Sequence, residues 1–375
     1  MTCGKLFSTL FFGGNHYQLM LIIGALFVLL YTILGGFLAE SASDFMQSIV
    51  MIVALVVIVI VGTISAGGLG TVIENSQKIP GFLDFFGLAS PVVNEAGEQV
   101  VVAGAPIFGA PAEYTILSIC SCMAWGLGYF GMPQVLLRFM AIREEKELKM
   151  SRRIAMVWVV ISLSVAVFIG IMGRQVFPTE HLTKSASENI FITLSTSSLP
   201  AILAGFVMAG ILAATISSSD SYLLIAASSV SKNIFQGVVH KKATDKQVMW
   251  LTRITLVIIT LVAIIIAWKE DSVIFNIVSF AWSGFGATFG PLMLFSLFWK
   301  RTTRAGAIAG MVSGGVMVFV WKLLISKLGG VFTIYELLPA FIISSIVIVI
   351  VSLLTPAPSQ EIQDDFDSVM AGPQE

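Results

Sequence analysis

The sequence predicts an all-α polytopic membrane protein, and three observations support this. Of its 375 residues, 57% are hydrophobic and 11% are charged, and the mean hydropathy is +0.93, a balance that no soluble globular domain needs. Nine apolar segments have about the length, roughly 20 residues, that a helix needs to cross the hydrocarbon core. Finally, the basic residues cluster in alternate connections between these segments.

The nine predicted spans are apolar runs, some of them interrupted by glycine or proline. They are residues 17–37, 45–66, 114–132, 154–174, 199–229, 249–268, 272–299, 305–325 and 335–354. The clearest interruptions fall at 125–133 and 282–291. Interrupted helices free backbone groups, which in transporters line a cavity or hold a ligand.

Lysine and arginine predict the orientation, because cytoplasmic connections carry the excess of positive charge. Fourteen of the 21 basic residues lie in the connections 138–153, 232–253 and 300–304. These alternate along the chain and therefore share one face, which is cytoplasmic by this rule. Nine spans then place the N-terminus outside and the C-terminus inside the cell membrane. We expect a transmembrane domain over 1–354 and a solvated, acidic cytoplasmic tail over 355–375.

Other features exclude classes of function or predict only local structure. A net charge of −1 gives no indication of a nucleic-acid partner. Cys120 and Cys122 lie within an apolar segment, where a packing role is expected, and the three histidines lie in or beside loops. We therefore expect no His/Cys metal site, no organic cofactor and no enzyme. The loop 67–113 is too long for a plain turn and is expected to hold short re-entrant or surface helices.

The most informative polar feature is a group of serines with one carboxylate, Asp220, inside an apolar run. A bare carboxylate in hydrocarbon costs a few kcal/mol or more, so Asp220 should face a cavity, a partner or an ion path. On a helix, Ala214, Ser217 and Ser218 share one face, where a carbonyl and two hydroxyls suit a small hard cation. The alternative is that the serines pack between helices and hydrogen-bond to the preceding turn. Four serine hydroxyls and a carboxylate within five residues favour the cation site.

A second feature is the glycine-rich stretch 125–133, in which three glycines and Pro133 argue against an unbroken helix. Trp125 and Tyr129 are four residues apart and would share a face, offering a broad apolar wall with polar tips. Such a wall suits a small apolar ring or side chain. An interfacial aromatic belt is the alternative, but a belt does not need a broken helix, so we favour a substrate pocket.

The third feature is the stretch 280–291, which contains Gly284, Gly286, Gly290 and Pro291. These glycines permit close approach of helices, and the proline can bend a span. Here we favour packing and flexibility over direct contact with a ligand.

These three stretches together resemble the sodium:solute symporter family, in particular its sodium/proline branch. The resemblance covers nearly the whole chain, from 31–38 (YTILGGFL) through 125–131 (WGLGYFG) to 282–286 (WSGFG). It implies part of a five-plus-five inverted-repeat core with flanking helices. It also implies import of a small solute, L-proline in this branch, with co-transported sodium across the lipid bilayer.

The resemblance assigns roles to individual positions. Ser217 and Ser218 correspond to two hydroxyl ligands of sodium, and the Ala214 carbonyl corresponds to a third. Asp44 corresponds to an acidic residue near the cytoplasmic sodium route, and Asp220 is placed on the same cation path without a settled partner.

The positions Trp125, Tyr129 and Pro133 correspond to the lining of the proline site. Met132 and Gln134 depart from the pattern, which has glutamine and histidine there. The family also carries other solutes, so pantothenate or another carboxylate is an alternative substrate. A solute-sensing membrane module is an alternative class, against which the shortness of the tail argues.

The resemblance also predicts that this chain is the C-terminal portion of a symporter, from core helix 4 onward. Such symporters have about 13 spans, and a broken core helix 1 supplies further sodium ligands and substrate contacts. Sodium is coordinated by about five or six oxygens. The oxygens of Ala214, Ser217 and Ser218 would supply three of them. We therefore expect the missing N-terminal helices to be partners of this chain, and we expect no transport by the chain alone.

Overall fold

The computed structural model describes residues 1–270 and 273–371. In this part of the chain the fourteen α-helices, in chain order, are α1 (Thr2–Phe12), α2 (Tyr17–Ser65), α3 (Leu69–Gln77), α4 (Ile116–Gly128), α5 (Pro133–Met140), α6 (Glu145–Val176), α7 (Lys184–Ser187), α8 (Ile190–Ser198), α9 (Ala201–Ser228), α10 (Asp245–Ile266), α11 (Ile274–Phe298), α12 (Arg304–Leu323), α13 (Leu337–Leu354) and α14 (Gln360–Ala371). The predicted helical class is confirmed.

Short elements fill the connections. Two antiparallel strand pairs lie in the predicted loop 67–113, β1 (Gly87–Leu88) with β4 (Ala112–Glu113) and β2 (Val101–Val102) with β3 (Ala105–Pro106). The same loop holds α3, as the prediction of a short helix required, whereas the strands were not predicted. A π-helical segment, Ser229–Val239, prolongs α9, and two 3₁₀ turns, Ile325–Leu328 and Gly330–Thr333, follow α12.

The number of spans agrees with the prediction. Among the described residues, eight segments are long and apolar enough to cross a membrane, or nine if the bent pair α4–α5 is one span. That pair is bent by 41° at the break between Gly128 and Pro133, where the interruption was expected. The chain is therefore a multi-pass membrane protein.

The predicted ends of three spans are wrong. The span predicted to end at residue 132 continues as α5 to Met140, α6 begins at Glu145 rather than 154, and α9 with its π-helical extension reaches Val239 rather than 229. Several basic residues of the predicted connections thus lie on helical turns. The reason is that hydropathy marks where the hydrocarbon ends, whereas a helix continues as long as its backbone hydrogen bonds do. The other spans differ by a few residues at their ends, and Ser272 of the predicted span 272–299 lies outside the described residues.

The long helix α2 contains two predicted spans, 17–37 and 45–66. The hydroxyl groups of Tyr31 and Ser43 are hydrogen-bonded to each other. Twelve residues of straight helix would separate these positions by about 18 Å, so α2 is not straight between them. The two apolar parts of α2, Tyr17–Gly35 and Glu40–Ser65, are therefore two spans, as predicted.

The chain divides into two compact units. The first unit contains Met1–Glu113 and Lys146–Ile274, and the second contains Tyr114–Glu145 and Phe275–Glu375. The core of the first unit includes Leu6, Ala54 and Val207, from α1, α2 and α9. Gly210 on α9 permits this packing, because a Cβ atom there would lie 2.6 Å from the Cβ of Ala54.

In the second unit, α12 packs along α13 through small residues. Gly306, Gly310 and Gly314 recur every four residues on α12. A Cβ at the first two would collide with Ser352 and Ile348 of α13, and one at Gly314 would collide with Ala287 of α11. Small residues at this spacing let two membrane helices approach closely. Thr303 caps α12, its hydroxyl accepting a hydrogen bond from Gly306 N at 3.1 Å.

The predicted tail 355–375 carries a helix, α14, that its composition did not indicate. Lys300 forms an exposed ion pair with Asp367 on α14, with 3.2 Å between Nζ and Oδ2. Residues 372–375 of the predicted tail lie outside the described residues, as does Asp271 of the short connection before α11.

Candidate functional site

The predicted cation ligands lie together on one face of α9. The hydroxyl of Ser217 donates a hydrogen bond to the Ala214 carbonyl oxygen at 3.2 Å, and the hydroxyl of Ser218 donates to the same oxygen at 3.1 Å. Three oxygens thus converge within a single turn. Ser217 is half-buried and Ser218 is exposed, so the group is accessible from one side.

The alternative interpretation, in which the serines hydrogen-bond to the preceding turn, predicts these same contacts. Such hydrogen bonds do not prevent the hydroxyl oxygens from binding a cation. A hydroxyl that donates its proton keeps its lone pairs, and a carbonyl oxygen has two. The Ser217 and Ser218 hydroxyl oxygens can therefore bind a cation while their hydrogen bonds remain intact, whereas the Ala214 carbonyl oxygen can bind one only if a hydroxyl turns away from it.

A cluster of carboxylates lies beside this face. Asp220 on α9 is 2% exposed and interacts electrostatically with Asp44 and Glu40, both from α2. Glu40 is 7% exposed and accepts a hydrogen bond from the Ser221 hydroxyl. One Asp220 oxygen, Oδ1, accepts from the Ser221 backbone N–H at 2.8 Å. The structure thus brings the predicted pair Asp44 and Asp220 into one cluster, which we name the acidic cluster (Glu40, Asp44, Asp220).

Within the described residues, buried oxygens of the acidic cluster lack a hydrogen-bond donor, among them one of Glu40 and one of Asp220. Glu40 Oε2 and Asp220 Oδ2 are buried, and no described residue donates a hydrogen bond to them. Buried carboxylates close to each other are stabilised by a cation or by protons, because their charges repel and are poorly solvated. Within the described part of the chain, no group of three or more His, Cys, Asp or Glu side chains is arranged to hold a metal ion by itself. A cation in this region must therefore take hydroxyl or carbonyl ligands as well.

Glu40 was not predicted as a functional residue. The signal was present, because Glu40 and Asp44 are four residues apart and face the same side of a helix. What the sequence did not contain was the neighbour: the Ser221 hydroxyl that contacts Glu40 lies 181 residues further on.

The predicted aromatic wall forms in the second unit, around α4 and α11. Trp125 stacks on Trp282 with ring centroids 5.2 Å apart and on Phe275 at 5.6 Å. Tyr129 meets Trp282 edge to face at 4.8 Å, and it is 43% exposed. The Trp282 indole N–H donates to the Trp125 carbonyl oxygen at 3.0 Å. Trp282 therefore fixes both predicted substrate residues, a role that the sequence did not indicate.

The break after Gly128 is where this wall is anchored. Pro133 occupies the first turn of α5, where its missing N–H costs nothing. A Cβ at Gly128 would collide with the Trp282 ring, and one at Gly286 would lie 2.7 Å from the Gly128 Cα. Gly131 and Gly290 approach each other in the same way, since a Cβ at Gly131 would lie 2.7 Å from the Gly290 nitrogen.

The role of the stretch 280–291 is therefore mainly packing, as predicted for Gly286 and Gly290. The prediction for Gly284 is wrong, since a Cβ there would have no neighbour within 4 Å. Pro291 lies inside α11, which runs on to Phe298. The hydroxyl and acidic residues belong to the first unit, and the aromatic residues belong to the second.

Comparison with known proteins identifies the family. The profile of the sodium:solute symporter family matches residues 1–314. The high-affinity proline transporter PutP of Bacillus subtilis (strain 168) is 37% identical over 365 residues, which cover 97% of this chain and 71% of that protein. A sodium/proline symporter of Staphylococcus aureus is 36% identical over 372 residues, which cover 98% of this chain and 68% of that protein.

The fold also matches a solved structure. A sodium-coupled sialic acid symporter, solved in a substrate-bound outward-open state, superimposes with a TM-score of 0.71 at 16% identity, covering 96% of this chain and 71% of that one. At this identity the likeness concerns the fold. On the match of its residues 1–314 and the identity with these relatives, the chain belongs to the sodium:solute symporter family.

Proposed function

We propose that this protein acts in the sodium-coupled uptake of L-proline across the cytoplasmic membrane. Family membership supports transport of a small solute with sodium. The names of two relatives, which match nearly the whole chain at 36–37% identity, support proline as the solute. The observation that carries the sodium part is the convergence of the Ala214 carbonyl with the hydroxyls of Ser217 and Ser218.

In this proposal sodium binds the three oxygens of Ala214, Ser217 and Ser218. Hard oxygen ligands without histidine or cysteine suit sodium. The acidic cluster lies beside them and lowers the energy of a cation that enters or leaves, so Asp44, Asp220 and Glu40 line the cation path. An inward-negative potential adds about 2.3 kcal/mol per charge per 100 mV to sodium entry.

Proline binds, in the same proposal, against Trp125, Tyr129 and Pro133. The pyrrolidine ring packs on the aromatic wall, and its ammonium group is attracted by the ring faces. Trp282 holds Trp125 and Tyr129 in place. Because binding free energies are linked, sodium and proline each raise the affinity for the other by the same factor.

The proposed orientation follows from the basic residues. The connections that contain 138–153, 232–253 and 300–304 face the cytoplasm, as does the C-terminus, and the N-terminus of this sequence lies outside. Sodium and proline then move from the side of the β-strand pairs toward the side of the basic connections.

The test uses Ser217→Ala and Ser218→Ala placed in the chromosomal gene, so that the protein is assayed as the cell makes it. Each variant loses one sodium ligand, and we expect the sodium concentration for half-maximal uptake of labelled proline to rise about three- to tenfold. Ser219→Ala is the matched control, since Ser219 makes no hydrogen bond from its side chain within the described residues, and it should behave like the wild type. An unchanged sodium dependence in both variants would contradict the site.

The solute is tested separately. Excess unlabelled proline should abolish uptake of labelled proline, whereas pantothenate at the same concentration should leave it unchanged. Strong inhibition by pantothenate, or sodium-dependent uptake of pantothenate itself, would replace proline as the substrate without affecting the sodium site.

A further inference from the structure

A groove opens between α2 and α6 in the first unit. It has a volume of about 480 Å³ and is lined by Ile52, Arg153, Ile154, Val157, Trp158 and Ile161. All of these except Arg153 are apolar or aromatic. We name it the Arg153 groove. A groove of this size with one charged residue at its edge has the composition of a site for an amphipathic molecule.

The groove lies along α2 and α6, two helices that also contact each other further along the chain. Near their C-terminal ends the two helices are in contact: the Thr63 hydroxyl lies 3.1 Å from the Met172 sulfur, and a Cβ at Gly62 would lie 3.2 Å from the Met172 methyl carbon. The groove lies nearer the N-terminal side of these contacts, where Ile52 of α2 and residues 153–161 of α6 line it. Val157 and Ile161 remain 60% and 53% exposed there.

The depth of Arg153 follows from the sequence of α6. Residues 154–173 carry no charge and are bounded by Arg153 and Arg174. Twenty helical residues span about 30 Å, the thickness of the hydrocarbon core. Arg153 therefore lies at the depth of the lipid headgroups, and Trp158 lies about one and a half turns deeper, below the headgroup region.

Arg153 has no ion-pair partner within the part of the chain that the structure describes. Its neighbours Lys149 and Arg152 are also basic. Trp158 is half-buried and lines the groove. Basic pockets between membrane helices are suited to anionic lipid headgroups.

We propose that the Arg153 groove binds one anionic phospholipid. The Arg153 guanidinium holds the phosphate group, and the first part of an acyl chain packs on Ile154, Val157 and Trp158. The occupant is anionic because Arg153 lines the groove and the helical turns on either side of it, residues 149–157, contain no carboxylate. The site does not depend on which solute the protein carries.

The test measures thermal unfolding of the purified protein in detergent while phosphatidylglycerol is added. Phosphatidylglycerol should raise the unfolding temperature, and phosphatidylcholine with the same acyl chains should not. Arg153→Gln should weaken the apparent affinity for phosphatidylglycerol about fivefold, since one basic residue at a membrane surface contributes about that factor. Arg152→Gln is the matched control, because Arg152 does not line the groove, and it should change the affinity less than twofold, a margin of about 0.4 kcal/mol.

A second measurement does not depend on the folding of a variant at Arg153. Phosphatidylglycerol with brominated acyl chains should quench Trp158 fluorescence, taken as the difference between the wild type and Trp158→Phe. Equal weakening by Arg152→Gln and Arg153→Gln would show a diffuse surface attraction and overturn the proposal. Equal stabilisation by phosphatidylcholine, or no quenching of Trp158, would also overturn it.

Discussion

The hydroxyl face of α9 and the aromatic wall around Trp125 are built in opposite ways. The first consists of residues 214–218, which one turn of helix places together. The second depends on Trp282, whose indole N–H contacts the carbonyl of a residue 157 positions earlier. The comparison shows that a group of oxygen atoms can be brought together locally in sequence, because a helix aligns its own carbonyls and hydroxyls. A wall for an apolar ring needs large side chains, which must be supported from another helix.

The largest expected effect tests whether the aromatic wall depends on that support. Gly128→Ala would place a methyl group inside the Trp282 ring and separate α4 from α11. We expect a loss of about 1–3 kcal/mol in stability, as for other overpacked sites, together with loss of proline uptake. Thermal unfolding and labelled-proline uptake measure the two effects.

Gly126→Ala is the control for this substitution. Gly126 lies on the same helix with no neighbour within 4 Å of a Cβ. Alanine there should be neutral or stabilise α4 by up to about 1 kcal/mol. If Gly128→Ala were equally harmless, the close contact with Trp282 would have no energetic importance.

The next effect concerns the acidic cluster. Asp220→Asn keeps the shape of the side chain and removes its charge beside the hydroxyl face. If Asp220 lowers the energy of a bound or passing cation, the sodium concentration for half-maximal uptake should rise about tenfold, corresponding to about 1.4 kcal/mol. The KM for proline measured at saturating sodium should stay within about twofold. A change in the proline KM alone would remove Asp220 from the cation path.

A smaller effect is expected at Trp282. Here the KM for proline should change and the sodium dependence should not, the reverse of the result expected for Asp220. Trp282→Phe retains an aromatic ring beside Trp125 and Tyr129 but loses the hydrogen bond to the Trp125 carbonyl. We expect the KM for proline to rise about threefold, in line with the net value of one hydrogen bond, with the sodium dependence unchanged. A shift in the sodium dependence instead would show that the two groups of residues are not functionally separate.

The last prediction concerns the topology of the chain in the membrane, and we expect no effect on transport. It tests the proposed orientation by labelling single cysteines from one side of the membrane. Ala96→Cys in the β-strand region should react with a membrane-impermeant maleimide in whole cells. Lys241→Cys should react only after the membrane is permeabilised. Both positions are exposed, and the wild-type cysteines Cys3, Cys120 and Cys122 provide the background to subtract. The reverse pattern would invert the proposed topology.

Much of the fold was predictable because the membrane imposes a simple rule on sequence. Apolar segments of about 20 residues must be helices, since every backbone polar group has to be satisfied within the segment. The prediction was weakest at the ends, as at Glu145 and Val239, where helices leave the hydrocarbon without any change in backbone geometry. The departure of α2 from a straight helix became visible through the contact of Tyr31 with Ser43.

The residues of the candidate sites fall into two groups, those that local sequence indicated and those that it did not. Ala214, Ser217, Ser218, Trp125, Tyr129 and Asp220 were indicated by the sequence, because polar groups in an apolar run and a glycine-interrupted aromatic stretch are unusual. Glu40 and Trp282 were missed, since each gains its role from a contact with a distant segment.

What the sequence by itself determined is the class of the protein, the spans, the break in the helix at 125–133, and the shared face of Ala214, Ser217 and Ser218. Each of these follows from the solvation of the backbone or from the period of a helix. The tertiary structure decided which side chains support these features: Ser221 contacts Glu40, and Trp282 contacts Trp125 and Tyr129. It also placed Ile52 of α2 in one groove with Arg153 of α6. Side-chain packing sets these contacts, and no local rule of sequence encodes which distant residue will occupy the adjoining space.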